Sequence, residues 1–180
     1  MKKRSNFLFA FLVTSSFGSL WSCSSSSQSK GAEVSDADMF AKISEATSFY
    51  QGNSSRLAPS GGGHGYVVVR FDSVAAAALT DDGKLPQGEE FPEGSFIVKE
   101  AYANASSELN AYVIMYKSPM DPNSGESWVW GEYEQDGEIL VSVERQGSPC
   151  ISCHSITSEN SPVAGDTGNR DLVRIFGVYP

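Results

Sequence analysis

The spacing of apolar residues along the chain predicts a helix near the start of the folded region. Between residues 35 and 50, apolar side chains recur at helical spacing, and Ser35 stands where a helix N-cap is expected. We therefore predict a first helix over residues 35–50. Asp72 or Ser73 is the expected cap of a second, short, alanine-rich helix that runs through Leu79.

Runs of β-branched and aromatic residues, each of strand length, occupy much of the remaining chain. They predict strands at residues 66–71, 96–102, 109–117, 127–134 and 138–143. Asp136-Gly137 separates the last two runs, and this dipeptide favours a tight hairpin turn. With no repeat or heptad pattern, the sequence predicts an α+β fold, built on a mainly antiparallel β-sheet with a few flanking helices.

The N-terminus has the layout of a secretion signal, with basic residues at positions 2–4 ahead of an apolar run over residues 7–20. The run ends at Leu20-Trp21-Ser22-Cys23, which resembles a bacterial lipobox in which Cys23 is lipidated. A transmembrane anchor is the alternative. Hydroxyl residues interrupt the run, however, and it is shorter than the roughly 20 residues that a bilayer span needs.

These features divide the chain into a signal peptide at residues 1–22, a lipidated flexible tether at 23–34 and one folded domain at 35–180. We expect a lipoprotein on the periplasmic side of the outer membrane, which contacts the membrane only through its lipid anchor. The formal net charge is −9, and removal of the basic signal makes it more negative. Such an acidic chain argues against nucleic acid as a partner.

The most explicit chemistry in the sequence is Cys150-Ile151-Ser152-Cys153-His154. Two thiols separated by two residues can reach both vinyl groups on one porphyrin edge, and the next histidine then lies beneath the iron. This spacing is the sequence signature of covalent c-type haem attachment, and export supplies the compartment in which that attachment is made. We predict haem c, with Cys150 and Cys153 as thioether residues and His154 as an axial ligand of the iron.

Three alternatives to haem compete for the same cysteines. A structural zinc site normally needs four Cys or His ligands, and the only other histidine is His64. A thioredoxin-like redox pair belongs at a helix start within a βαβ pattern, whereas this pair follows a series of strands. The third alternative is a plain disulfide in a non-haem lipoprotein, which would persist outside the cytoplasm.

Segments around the haem motif carry a family resemblance, which extends from about His64 to the C-terminus. They are, in chain order, residues 91–100, 113–117, 127–130, 150–154 and 171–173. Their order and spacing resemble the cytochrome P-460 and cytochrome c-prime-beta superfamily. The resemblance implies a small antiparallel-sheet domain with flanking helices, often a homodimer, with haem held near one face.

The same resemblance points to individual residues. Lys99 falls where P-460 proteins carry the lysine that cross-links to the porphyrin. The distal carboxylate used for hydroxylamine oxidation corresponds to a position near Val113, which is not an acid, although Glu100 or Glu108 could still reach the pocket. Strand alternation leaves open which face of the Lys99 strand meets the haem, because both faces are apolar.

His64 is the candidate for a sixth iron ligand, which would suit electron transfer because a filled position excludes other ligands. Met115 and Met120 are chemically possible, but we expect the first in the core and the second in an exposed loop. The resulting hypothesis is an exported mono-haem cytochrome that acts in electron transfer with a redox partner protein or binds a small nitrogen-oxide ligand. The alternative is a hydroxylamine- or nitric-oxide-oxidising enzyme with Lys99 cross-linked.

Overall fold

The structure, a computed structural model, describes residues 33–57, 63–156 and 168–174. The predicted signal peptide, the lipidation residue Cys23 and most of the tether lie outside the described residues. None of the helices in these ranges has the length and apolar character needed to cross a membrane.

Within the described ranges, the strands form a single antiparallel sheet in which neighbours in sequence are neighbours in space. The strands are β1 Ser48–Phe49, β2 Tyr66–Phe71, β3 Phe96–Tyr102, β4 Leu109–Lys117, β5 Trp128–Tyr133 and β6 Ile139–Val141. The predicted antiparallel meander is confirmed. The turn between β5 and β6 is closed by a hydrogen bond from Gly137 N–H to the Glu134 carbonyl oxygen (3.1 Å), with Gly137 at φ 92°.

The helices of the described ranges are short and lie around the sheet. They are α1 Asp36–Ala41, α2 Ser73–Ala77 and α3 Ile151–His154, together with 3₁₀ turns at Lys42–Glu45, Tyr50–Gly52 and Val143–Arg145. The predicted α+β class, mainly β with a few flanking helices, is therefore confirmed.

The first helix begins as predicted but is shorter than the spacing of apolar residues indicated. Ser35 caps α1 in a capping box with Asp38, whose backbone N–H donates to Ser35 Oγ (3.2 Å). Only the 3₁₀ turn Lys42–Glu45 follows, and there Arg70 Nη1 donates to the Ala46 carbonyl oxygen (2.7 Å). The Arg70 guanidinium thus supplies the hydrogen bond that a backbone N–H of the next helical turn would otherwise donate. After this point the chain continues as the edge strand β1.

The second helix is held to the sheet by the side chain that caps it. Asp72 Oδ1 accepts hydrogen bonds from Ala75 N–H (2.8 Å) and from Phe96 N–H (3.0 Å). Because the cap residue directly follows β2 and Phe96 begins β3, one buried carboxylate fixes α2 between two neighbouring strands.

The sheet is covered on both faces. On one face, which we call the α1 face, Met39 of helix α1 packs in a cluster of buried side chains with Phe96, Val98, Ile114, Val129, Tyr133 and Val143. On the other, the α3 face, helix α3 packs against a second cluster that includes Val69, Phe71, Ile97, Met115, Trp128, Trp130 and Val173. Burial on both faces explains why the strands read as nearly continuous apolar runs.

A buried ion pair attaches the C-terminal segment, residues 168–174, to the α3 face. Lys117 Nζ lies 2.8 Å from Asp171 Oδ1, with the two side chains 3% and 7% exposed. Asp171 also accepts hydrogen bonds from Phe91 N–H (2.8 Å) and Trp128 Nε1–H (3.3 Å). The carboxylate is thus bonded to groups from β4, from β5 and from the loop before β3, which fix the position of the segment.

Removal of Lys117 should therefore be costly. We expect Lys117→Met to lower the free energy of unfolding by about 3–5 kcal/mol, because it leaves the Asp171 carboxylate buried without its cation. The double variant Lys117→Met/Asp171→Asn should lose less than the single variant. Urea unfolding measures both, with Glu45→Gln as the control, because it breaks only the exposed Lys42–Glu45 pair and should cost less than about 1 kcal/mol. Equal losses in the single and double variants would contradict the role of the buried charge.

Candidate functional site

The Cys150–His154 motif forms the single-turn helix α3 and its N-cap. Cys150 is the N-cap and Ile151–His154 the helix, which begins with a hydrogen bond from Ile151 N–H to the Gly147 carbonyl oxygen (3.0 Å). Cys150 is half-buried, Cys153 is exposed, and both are free thiols. Because residues three and four apart share one side of a helix, both thiols and His154 project from neighbouring positions.

The His154 ring is buried and held by a main-chain acceptor. Its Nδ1 lies 2.7 Å from the Leu172 carbonyl oxygen, which can only accept, so Nδ1 carries the proton and Nε2 keeps its lone pair. Trp130 contacts the ring edge to face, with centroids 5.0 Å apart. Burial, and then the positive charge of Lys99, lowers the pKa of His154 to about 3. This arrangement leaves the Nε2 lone pair available to a metal.

The C-terminal segment closes over the end of α3. Asn169 Nδ2 donates to the carbonyl oxygens of His154 and Cys153, and Arg174 Nη1 donates to that of Cys153 (3.1 Å). These bonds satisfy carbonyl groups that the end of a helix otherwise leaves free. The helix and the segment therefore form one unit, joined to the sheet through Asp171.

An apolar recess of about 310 Å³ lies between α3 and the sheet. It is lined by Val69, Ile97, Val113, Met115 and Val173 and by three basic side chains, Lys99, His154 and Arg174. The recess places His154 among apolar side chains of three strands.

Lys99 lies on the α3 face, the same face of the sheet as His154. In β3 it is paired between Val69 of β2 and Val113 of β4. Burial, and then the charge of Arg174, lowers the pKa of Lys99 to about 8, while Cys150 and Glu132 act in the opposite direction. The structure thus places Lys99 on the face of β3 that meets α3, which strand alternation alone could not predict.

Glu132 is an acidic residue of the α3 face that the sequence reasoning missed. It lies in β5 opposite Val113, so Lys99 and Glu132 flank Val113 in one row across the sheet. Burial raises the pKa of Glu132, and the charge of Lys99 partly offsets this rise. Sequence reasoning could have found Glu132 from the register of the β4–β5 hairpin. That register can be approximated by pairing the two predicted strands around the turn between them.

The acids that the sequence reasoning did name lie elsewhere. Glu100 is on the α1 face, where its carboxylate pairs with Arg70 Nη2 at 2.8 Å and accepts a hydrogen bond from Tyr102. Glu108 is exposed in the turn before β4. Neither lines the apolar recess, because strand alternation directs Glu100 away from Lys99 and the turn leaves Glu108 in solvent.

His64 lies in the turn before β2 and borders a different recess from that of His154. This second, polar recess of about 400 Å³ is lined by Gly63, His64, Gly65, Ala101, Tyr102, Ala103, Asn110 and Glu132. Burial, followed by the charge of Lys99, lowers the pKa of His64 to about 4. Of the two methionines considered as ligands, Met115 lines the apolar recess and is 5% exposed, whereas Met120 is 87% exposed.

The donor set of the site fits a haem. Two neighbouring thiols and a histidine with an unprotonated Nε2 stand at the edge of an apolar recess, as covalent attachment and iron ligation require. In the described ranges, no group of three or more His, Cys, Asp or Glu side chains is arranged to hold a metal ion by itself. The fold and this donor set define a small β-rich haem protein.

Comparison with known proteins agrees with this class. The sequence model of the cytochrome P460 family matches residues 62–164, which is more than half of the chain. The chain therefore belongs to the cytochrome P460 family and is a haem-binding cytochrome. A search of curated proteins finds no significant match.

The turn that leads into α3 depends on a glycine. Gly147 has φ 69°, and a Cβ there would lie 2.4 Å from Trp130 Cδ1. Because Trp130 in turn contacts His154, we expect Gly147→Ala to lower the free energy of unfolding by about 1–3 kcal/mol through overpacking, in addition to the strain of the positive φ.

Gly88→Ala is the matched control for this prediction, because Gly88 has φ 84° but open space around it. Urea unfolding of both variants separates backbone strain from the clash with Trp130. Equal losses in the two variants would show that the close approach of Gly147 to Trp130 does not matter.

Proposed function

We propose that this protein is an exported mono-haem c-type cytochrome that binds a small nitrogen-oxide ligand or transfers electrons. Cys150 and Cys153 would hold the haem covalently, and His154 would bind its iron through Nε2. The hydrogen bond from His154 Nδ1–H to the Leu172 carbonyl oxygen (2.7 Å) carries the proposal, because it fixes the ring in the tautomer that a metal needs.

The apolar recess favours binding of a small neutral ligand over electron transfer alone. A bound haem iron supplies one-electron redox chemistry and a coordination position for a small molecule. His64, the candidate for a sixth ligand, lines the polar recess and not the apolar one. The side chains of Val69, Val113 and Val173 would exclude water around His154 and offer a neutral diatomic molecule an apolar environment.

The cellular setting is also part of the proposal. The basic and apolar N-terminus with Cys23 supports export and a lipid anchor on the periplasmic side of the outer membrane. A redox partner protein would then meet the domain in that compartment. The resemblance to P-460 proteins further favours a homodimer.

Covalent attachment is tested by the haem content of the purified protein. We expect a pyridine haemochrome spectrum of the c type in the wild-type holoprotein and a spectrum shifted towards a single thioether bond in Cys153→Ala. Cys150→Ala should do the same, and Ser152→Ala, between the two cysteines, is the matched control that should retain the full spectrum. Unchanged haem in Cys153→Ala would refute the proposed attachment, and absence of covalent haem in the wild type would favour a disulfide.

A second candidate function, oxidation of hydroxylamine or nitric oxide, is favoured by the row of Lys99, Val113 and Glu132. The amine of Lys99, with its pKa lowered to about 8, is partly unprotonated near that pH and therefore nucleophilic, as a cross-link to the porphyrin would require. The resemblance places the distal carboxylate near Val113, which has none, and Glu132 supplies a carboxylate beside that position on the same face. Its raised pKa suits a group that accepts and releases protons.

Two variants separate the enzyme from the ligand-binding cytochrome. Lys99→Arg keeps the positive charge but lacks the nucleophilic amine, so in an enzyme it should abolish a red-shifted Soret band. Glu132→Gln should then lower the rate of hydroxylamine oxidation about 100-fold or more. If the first function is correct, the wild-type Soret band is unshifted, both variants leave it unchanged, and the ferrous protein shifts its spectrum on addition of nitric oxide.

A further inference from the structure

The indole of Trp130 is held in one orientation by its surroundings. Trp130 lies in β5 and is 1% exposed. Its Nε1–H donates a hydrogen bond to the Gly125 carbonyl oxygen (2.9 Å). The Gly147 backbone approaches the pyrrole ring of the indole so closely that a Cβ there would lie 2.4 Å from Cδ1 and 2.5 Å from Nε1. The strand, the hydrogen bond and the glycine together fix the orientation of the indole.

The fixed indole is in direct contact with the imidazole of His154. The two ring centroids lie 5.0 Å apart and the ring planes meet at 81°, which is edge-to-face geometry. Such a contact favours one relative orientation, because the positive edge of one ring faces the negative face of the other. Trp130 is not among the described residues that line the apolar recess, whereas His154 is. The indole therefore packs against the imidazole from outside the recess.

The hydrogen bond from His154 Nδ1–H to the Leu172 carbonyl oxygen does not by itself set the plane of the imidazole. It holds the ring at one atom, at 2.7 Å, and a carbonyl oxygen accepts hydrogen bonds over a broad range of directions. The torsion about the histidine Cβ–Cγ bond has no narrow intrinsic minimum either. The direction of the ring plane therefore depends on a second contact, and Trp130 supplies one.

We propose that Trp130 is a positioning residue that sets the direction of the His154 imidazole plane relative to the haem. The inference rests on the proposed attachment at Cys150, Cys153 and His154, and it adds a determinant of the iron chemistry that lies outside the motif. The plane of an axial imidazole selects the iron d orbital with which its π orbital overlaps, and this overlap affects the distribution of electron density over the haem. Trp130 would therefore influence the iron without contacting it.

The test uses the full-length holoprotein in its wild-type form and as Trp130→Leu, Trp130→Phe and Tyr133→Phe. Leucine keeps apolar bulk beside His154 but offers no ring for an edge-to-face contact. Phenylalanine keeps an aromatic ring, but this ring is smaller than an indole and lacks the N–H that bonds to Gly125. Tyr133→Phe is the matched control. Tyr133 is buried in the same strand and would lose one hydrogen bond, to Asp36 (2.9 Å), but it packs on the α1 face.

Proton NMR of the ferric cyanide complex is the principal readout, because the hyperfine shifts of the haem methyl groups report the plane of the axial imidazole. Cyanide fills the position opposite His154 in every sample, so differences between variants come from the His154 side. We expect Trp130→Leu to narrow the spread of the methyl shifts, because an imidazole that samples several planes averages them. Trp130→Phe should change the shifts less, and Tyr133→Phe should leave them at the wild-type values. A purely structural role would lower the free energy of unfolding without moving these shifts.

Wild-type methyl shifts in both Trp130 variants would overturn the inference. So would an equal change in Tyr133→Phe, because the shifts would then report a general disturbance of β5. If Trp130→Leu does not fold, wild-type shifts in Trp130→Phe alone overturn it. The haem content of each sample is measured first by pyridine haemochrome. A wild-type protein without covalent haem refutes the proposed attachment, whereas full haem content with unchanged shifts refutes only the role of Trp130.

Discussion

The buried pair of Lys117 and Asp171 connects the sheet to everything that surrounds His154. Lys117 is the last residue of β4, so its ammonium group stands at a fixed edge of the sheet, and Asp171 is held against it at 2.8 Å. The next residue, Leu172, supplies the carbonyl oxygen that orients the His154 ring. The orientation of the His154 imidazole thus depends on the Lys117–Asp171 ion pair, which acts through the neighbouring Leu172 carbonyl and is anchored at the end of β4.

The two faces of the sheet therefore have different roles: one contains only packing and an ion pair, and the other carries the residues around the haem motif. The α1 face contains aromatic and aliphatic packing together with the Arg70–Glu100 pair, and no residue of the haem motif contacts it. On the α3 face, Lys99, Val113 and Glu132 form a row beneath α3. Strands buried on both sides provide a rigid support for that row, because each of its residues is paired with a residue on both neighbouring strands.

Local patterns were sufficient to predict strands β2 to β6 and the cap Ser35, and they limited the second cap to Asp72 or Ser73. The predictions that failed depended on partners distant in sequence. The first helix ends early because Arg70, more than twenty residues later, takes the carbonyl oxygen of Ala46. Glu132 was missed because its position on the α3 face depends on its register opposite Val113. Family resemblance supplied Lys99, but only the folded sheet relates it to His154.

The one-turn helix α3 has two surfaces with different surroundings, because Cys153 is exposed while the adjacent His154 is buried. In the proposed cytochrome, a protein that docks over α3 would meet the thioether at Cys153 without entering the recess. A small molecule would instead approach through the apolar side chains on the opposite side of His154. Electron transfer and ligand entry would therefore occur on different sides of α3, and a bound partner protein would not block the entry of a gaseous ligand.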